Sequence, residues 1–133
     1  MRVAELMQTN VRSIAPDASI ADLVQELADA HVSGLPVVSP SGQILGVVSA
    51  TDVLQASAET DDARARTNLF DRTTVADIMT RSPHVIEPDA DARDAAKQML
   101  YGEVRRLFVE DKGKLVGVIS QTDIAQAVGS GRL

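Results

Sequence analysis

Two copies of one pattern, about 70 residues apart, restrict what this chain can fold into more than any other feature. Residues 46–52 read Gly-Val-Val-Ser-Ala-Thr-Asp, and residues 117–123 read Gly-Val-Ile-Ser-Gln-Thr-Asp. Residues 3–7 and 75–79 also match, at an offset of 72 positions. Because a repeat of this length exceeds the units of solenoid proteins, it indicates a supersecondary block that occurs twice.

The first block predicts the element order β-α-β-β-α. A short strand over residues 11–14 is stopped by Pro16, which has no amide donor. A helix then opens at Ser19, and its apolar residues recur at helical spacing as one stripe made of Ile20, Leu23, Val24 and Leu27. Two further strands, over residues 35–38 and 44–48, lead into a helix that begins at Ser49.

The second block predicts the same order, with strands over 85–86, 107–109 and 115–119 and helices that open at Asp91 and near Thr122. Three short strands expose an apolar face that is too small to be buried alone. The sequence therefore predicts an α+β fold of two intertwined β-α-β-β-α repeats. We expect them to pack sheet to sheet with pseudo-twofold symmetry and with the helices outside.

The repeat divides the chain into a first domain over residues 1–57, a linker over 58–74 and a second domain over 75–133. Residues 55–73 have no counterpart in the other block and are rich in Ala, Asp, Arg and Thr. A solvated linker is the favoured interpretation. The alternative is that the preceding helix continues, and that Leu69 and Phe70 dock onto an apolar surface.

Composition excludes several kinds of function. Aromatic residues make up 2% of the 133 residues, so stacking on bases cannot be a main binding mode. Cysteine is absent, which excludes disulfides and thiolate metal sites and fits a cytoplasmic protein. The formal charge of −6 disfavours nucleic acid and anionic lipid as partners. The N-terminus shows no apolar signal region, and no apolar run approaches the ~18 residues of a membrane span.

The strand-to-helix junctions carry the chemistry. Asp52 and Asp123 can each accept two hydrogen bonds, which suits the vicinal hydroxyls of a ribose. The hydroxyls of Ser49, Thr51, Ser120 and Thr122 lie where a helix N-terminus can hold a phosphate. The alternative is local: each Ser-x-x-Asp has the spacing of a capping box, which would explain both pairs without a ligand.

With these residues in view, the chain resembles the cystathionine-β-synthase (CBS) domain family, specifically a stand-alone tandem pair or Bateman module. The resemblance covers about residues 3–57 and 75–129. It rests on the matched starts of the blocks, on residues 34–38 (Gly-Leu-Pro-Val-Val) and on the doubled Ser-x-Thr-Asp ends. It implies regulation through AMP, ADP, ATP or S-adenosylmethionine, bound in the cleft between the repeats. It also implies a disc-like homodimer and no obligatory cofactor.

The resemblance extends to individual residues. It assigns adenine contacts to the segments around Ile14, Ala15 and Pro16 and around Ile86 and Pro88, although both isoleucines also suit a core. The resemblance also predicts ligand contacts for residues at the start of the middle strands. These residues are Gly34, Leu35, Pro36 and Leu107. Phe108 departs from the family pattern, because proline is usual there.

Arg105 and Arg106 could fork onto phosphate oxygens. The first block has Ser33 and Gly34 at the matching positions, so the two sites are not equivalent. The alternative is that the arginines are solvated charges that discourage pairing at a sheet edge.

Two other classes of function compete with this interpretation. One is an interaction module with vestigial sites, which would dimerise or dock on a regulated protein. The other is an enzyme, which is disfavoured because no set of nucleophile, base and acid is visible. His31 and His84 do not have metal-ligand spacing, so we expect no metal site and no catalytic residue.

Overall fold

The computed structural model describes residues 1–60 and 62–133 and divides the chain into two compact units. The continuous unit is Arg12–Pro83, and the discontinuous unit combines Met1–Val11 with His84–Leu133. The α+β class predicted from the repeat is confirmed. The two compact units do not coincide with the sequence repeats, because the first residues of each repeat pack with the body of the other. The predicted domain boundaries at residues 57 and 75 stay predictions.

The continuous unit contains two strands and four helices within its described residues. In chain order these are α1 (Ile20–Ala30), β1 (Gly34–Val38), β2 (Ile44–Ser49), α2 (Ala50–Ala58), α3 (Ala63–Arg72) and α4 (Val75–Ile78). Ser19 caps α1 as predicted, since its side chain accepts a hydrogen bond from the amide of Asp22. Three of the four stripe residues are buried, but Val24 is 43% exposed and is corrected to a surface residue.

The discontinuous unit begins with a short 3₁₀ helix, Val3–Glu5, and continues after residue 83. Its further elements are β3 (Val85–Ile86), α5 (Ala92–Tyr101), β4 (Arg106–Asp111), β5 (Lys114–Ser120) and α6 (Gln121–Gly129). Asp91 caps α5 as predicted by accepting a hydrogen bond from the amide of Arg93. The hairpin between β4 and β5 turns at Lys112 and Gly113, which both have positive φ.

The two sheets differ because of one proline. In the discontinuous unit, β3 pairs in parallel with β4, and the Phe108 amide donates to the carbonyl of His84. Pro36 occupies the position that matches Phe108 and has no amide to donate. The predicted strand over residues 11–14 is therefore reduced to a single bridge between Ile14 and Val37, and β1 and β2 form a two-stranded sheet.

The prediction of a solvated linker is wrong for most of its length, because α3 is a helix that packs against α1 and α2. Leu69 is 6% exposed and belongs to the core of the continuous unit, with Phe70 beside it. The docking of Leu69 and Phe70, left open as the alternative, is what the structure shows. Asp61, also within the predicted linker, lies outside the described residues.

Residues 1–11 and 75–83 are the two crossing segments, each of which starts one repeat and packs with the body of the other. Each segment is attached by a pair of backbone hydrogen bonds. Thr80 exchanges two hydrogen bonds of 2.9 Å with Val47 of β2, and Gln8 exchanges two of 2.9 Å with Val118 of β5. These contacts bring residue 8 next to the helix junction of the discontinuous unit. Across the described residues, no helix combines the length and hydropathy that crossing a bilayer requires.

Candidate functional site

The junction of β2 and α2 is held by a capping box within the continuous unit. Oδ2 of Asp52 accepts hydrogen bonds from the amide of Ser49 at 2.8 Å and from its hydroxyl at 3.1 Å. The Ser49 hydroxyl in turn accepts one from the amide of Asp52 at 3.3 Å. The sequence spacing predicted this box, and the structure confirms it.

The junction of β5 and α6 repeats the arrangement within the discontinuous unit. Oδ2 of Asp123 accepts from the amide of Ser120 at 2.8 Å, and the Ser120 hydroxyl accepts from the amide of Asp123 at 3.1 Å. Here the second oxygen is also engaged, because Nε2 of Gln8 donates to Oδ1 of Asp123 at 3.2 Å. Both carboxylates therefore cap their helices, but they differ in their remaining capacity to accept hydrogen bonds.

Capping accounts for only one oxygen of each carboxylate. Both caps use Oδ2, which leaves Oδ1 as the oxygen that can accept from another molecule. Within the described part of the chain, no donor lies on Oδ1 of Asp52, and Gln8 is the donor on Oδ1 of Asp123. Asp52 and Asp123 are both half-buried. The capping and ligand interpretations are therefore compatible.

The residues predicted to contact a phosphate lie around these junctions. Thr51 and Thr122 are exposed in the first turns of α2 and α6. Arg106 pairs with Ser120 across the β4–β5 ladder, and the carbonyl of Arg105 accepts from the amide of Gln121 at 2.9 Å. Both arginines are therefore placed beside the start of α6. Their side chains are exposed, and among the described residues neither forms an ion pair.

The corresponding place in the continuous unit carries no charge. Gly34 pairs with Ser49, and the carbonyl of Ser33 accepts from the amide of Ala50 at 2.8 Å. Positions 33 and 34 therefore match positions 105 and 106 in structure as well as in sequence. The two junctions therefore differ in cationic charge as the sequence predicted.

The segments predicted to contact adenine are partly buried in the two cores. Ile14 and Ile86 are 6% and 7% exposed and belong to the two core clusters. The Ile14 amide donates to the carbonyl of Pro36, and its carbonyl accepts from the amide of Val38. Ala15 is exposed and Pro16 is half-buried, so these are the residues of the segment that a ligand can reach.

The remaining predicted residues are mostly covered by protein. Leu35 and Leu107 are 2% and 1% exposed, and Pro36 is also buried. The carbonyl oxygens of Pro16 and Pro88 accept from the amides of Ala76 and Ala4. These residues shape the strands on which the junctions sit, and their predicted ligand contacts stay predictions.

A hollow of about 370 Å³ lies beside Asp123 in the discontinuous unit. Its lining comes from the 3₁₀ helix, from α6 and from the C-terminal residues, and comprises Glu5, Leu6, Asp123, Gln126, Ala127, Ser130 and Arg132. The carboxylate of Asp123 therefore adjoins open space as well as its own helix.

Sequence reasoning missed the crossing segments and, with them, Gln8. It also missed the steric role of Gly46 and Gly117, the first residues of the two copied motifs. A Cβ on Gly46 would collide with the carbonyl oxygen of Thr80, and one on Gly117 would lie 2.8 Å from that of Gln8. The signal that could have found them is the offset of 72, which places Gln8 opposite Thr80 in the aligned repeats.

The fold, the duplication and the paired junctions define a protein built from two CBS domains. The CBS domain model matches residues 3–59 and 75–130, which is most of the chain. This chain belongs to the CBS domain family and contains the two domains in tandem.

Proteins similar to this chain include CBSX2, a chloroplastic CBS domain-containing protein of Arabidopsis thaliana. It is 31% identical over 139 residues, covering 89% of this chain and 58% of that protein. The uncharacterized protein MJ1225 of Methanocaldococcus jannaschii is 29% identical over 128 residues, covering 96% of this chain and 43% of that protein. The chain thus spans about half the length of these two relatives.

Solved structures also match this chain over nearly its whole length. CBSX2 in complex with AMP superposes with a TM-score of 0.81 at 29% identity, covering 99% of this chain and 98% of that one. The CBS domain pair of MJ0100, in complex with 5'-methylthioadenosine and S-adenosyl-L-methionine, has a TM-score of 0.73. At 21% identity and 98% coverage of both chains, this second structure shows the shared fold alone.

Proposed function

We propose that this chain is a regulatory module that binds adenosine-containing ligands, with AMP as the first candidate. The observation that carries the proposal is the matched pair of half-buried carboxylates, each of which caps its helix through Oδ2 alone. The AMP complex of CBSX2 supports the choice of ligand, because that structure is similar to 99% of this chain. The function is sensing of a nucleotide, with no chemical step on it.

In the proposed mode of binding, Asp52 and Asp123 accept hydrogen bonds from ribose hydroxyls through Oδ1. Thr51 and Thr122 offer exposed hydroxyls and amides to the 5' side of the ligand at the start of α2 and α6. In the discontinuous unit, Arg105 and Arg106 supply positive charge to a phosphate. ADP or ATP would gain more from this arginine pair than AMP.

The test uses Asp→Asn substitutions, because asparagine keeps a carbonyl oxygen for the cap but replaces the other oxygen with a donor. At 100-fold excess over the dissociation constant of a site, AMP should stabilise the unmodified chain by about 2.7 kcal/mol for each site that it fills. Asp52→Asn and Asp123→Asn should each remove one binding site, and the double variant should lose the response. Titration calorimetry and thermal unfolding, with and without AMP, measure both effects.

The ligand-free melting temperature is the control in that experiment. If both asparagine variants unfold like the unmodified chain and yet bind AMP unchanged, the carboxylates are caps only. If AMP, ADP, ATP and S-adenosylmethionine at millimolar concentration all leave the unmodified chain unchanged, the module acts through protein contacts, with vestigial sites.

We also propose that the chain forms a homodimer through the outer face of α5 and α6. An apolar hollow of about 270 Å³ lies there, lined by Ala96, Met99, Leu100, Gln121, Ile124 and Ala125. Leu100 is 70% exposed and Tyr101 is 86% exposed. In the continuous unit, α3 packs on the matching helices α1 and α2, whereas the corresponding surface of α5 and α6 carries these exposed apolar side chains.

Sedimentation velocity tests the homodimer. Leu100→Lys should shift the chain toward monomer at micromolar concentration, because it places a charge in the apolar face. Gln98→Lys adds the same charge to an exposed position of α5 outside this hollow and should leave the sedimentation coefficient unchanged. An unmodified chain that sediments as a monomer would contradict the proposal.

A further inference from the structure

The two carboxylates differ by a single contact, and that contact comes from outside the copied motif. Gln8 follows the repeated Met7 in sequence, and its backbone is fixed to Val118 by two hydrogen bonds. Its side chain donates to Oδ1 of Asp123 at 3.2 Å. Thr80 has the matching backbone bridge to Val47, but within the described residues its side chain makes no hydrogen bond to Asp52.

We propose that Gln8 sets the ligand affinity of the Asp123 site by competing with the ribose for Oδ1. This inference rests on the proposed function, because it assigns a regulator to the same site. Oδ2 of Asp123 is held by the cap, so the oxygen that a ribose hydroxyl needs is the one that Gln8 occupies. A ribose hydroxyl that approaches Oδ1 along the lone pair used by Gln8 must displace the side-chain amide of Gln8.

The physical cost of this displacement is one hydrogen bond of an exposed side chain. Such a bond weakens ligand affinity by about two- to tenfold if it must be broken before the ligand can bind. Asp52 carries no such competitor among the described residues. The consequence is a module whose two carboxylate sites respond to different nucleotide concentrations, with the affinity of the Asp123 site adjusted by a residue of the crossing segment.

The test isolates each site in turn with AMP as the probe. In an Asp52→Asn background, where the Asp123 site remains, Gln8→Ala should lower the dissociation constant of AMP by about two- to tenfold. Gln8→Thr, which installs the residue found at the matching position 80, should do the same. Gln8 is exposed and its backbone bridge does not need the side chain, so these variants should fold normally.

Two controls use the other site, in an Asp123→Asn background. Gln8→Ala should leave the AMP affinity of the Asp52 site unchanged. Thr80→Gln should weaken it, because the new side chain starts from the same bridge geometry. Circular dichroism of each ligand-free variant checks that the fold is retained.

The outcomes separate the two proposals. If the unmodified chain binds AMP but Gln8→Ala leaves the Asp123 site unchanged, the inference about Gln8 is overturned and the proposed function stands. Weaker binding in Gln8→Ala also overturns it, because Gln8 would then be a ligand contact. If the unmodified chain binds no AMP, the proposed function fails and the inference falls with it.

Discussion

Hydroxyl and acid pairs recur at the starts of several helices of this chain. Thr74 and Asp77 form such a pair at the start of α4, and Oδ2 of Asp77 accepts from the Thr74 amide at 2.9 Å and from its hydroxyl at 3.0 Å. These hydrogen bonds, the amide one foremost, lower the pKa of Asp77. A carboxyl whose pKa falls on folding adds stability above its unfolded pKa, and that stability is lost as the pH falls through the folded pKa.

Asp77→Asn should therefore unfold more easily than the unmodified chain at pH 7. The difference should shrink as the pH falls below the ordinary range of an aspartate pKa and through the lowered pKa of the folded state. Urea unfolding between pH 7 and pH 2.5 measures it. In a Thr74→Ala background the gap should be smaller, because the hydroxyl donor is gone while the amide donor remains. A gap that is constant with pH would contradict this account.

At the scale of elements, the close approach of the crossing segments to β2 and β5 explains why each copied motif begins with glycine. Gly46→Ala and Gly117→Ala should each destabilise the chain by about 1–3 kcal/mol, because the added methyl groups meet the backbone of Thr80 and Gln8. Thermal and urea unfolding measure this.

Gly129→Ala is the matched control for both glycine variants. Gly129 is the last residue of α6, and a Cβ there would have no atom within 4 Å. Alanine should therefore be neutral or stabilising at this position. Equal losses at all three glycines would show that the effect is general to glycine replacement and does not come from the crossing segments.

The sequence predicted the elements that are controlled by local signals. Ser19, Ser49, Asp91 and Ser120 each cap a helix, because a side-chain acceptor two or three residues before an amide acts within one turn. The paired carboxylates were predictable for the same reason, as residues of a local motif. Their accessible oxygens could not be predicted, because the donor on Asp123 comes from position 8.

What sequence reasoning could not predict depends on contacts between distant segments. Residues 55–73 are hydrophilic in composition, so the sequence did not predict α3. The buried residue of this helix is Leu69. The missing strand over residues 11–14 depends on Pro36, which withholds an amide from a neighbour more than twenty residues away in sequence. In both cases tertiary pairing outweighed the local pattern.

For the whole molecule, each repeat depends on the first residues of the other repeat for part of its core. A mutation at the start of one repeat should therefore destabilise the body of the other. Val3 is fully buried in the core of the discontinuous unit, and Val75 is fully buried in the core of the continuous unit. Each valine lies at the start of one repeat and packs against the body of the other. Truncating either to alanine should cost about 1.5–3 kcal/mol.

The location of the loss tests the exchange directly. Hydrogen exchange measured by mass spectrometry should show that Val3→Ala first lowers protection in His84–Leu133, and that Val75→Ala first lowers it in Arg12–Pro83. Val24→Ala provides the control, because that valine is 43% exposed and should change protection little. If Val3→Ala instead loosened Arg12–Pro83 first, each repeat would be folding on itself and the crossing segments would be misassigned. The position of Gln8 beside Asp123 depends on the same crossing, so that result would also remove the basis for its role at the site.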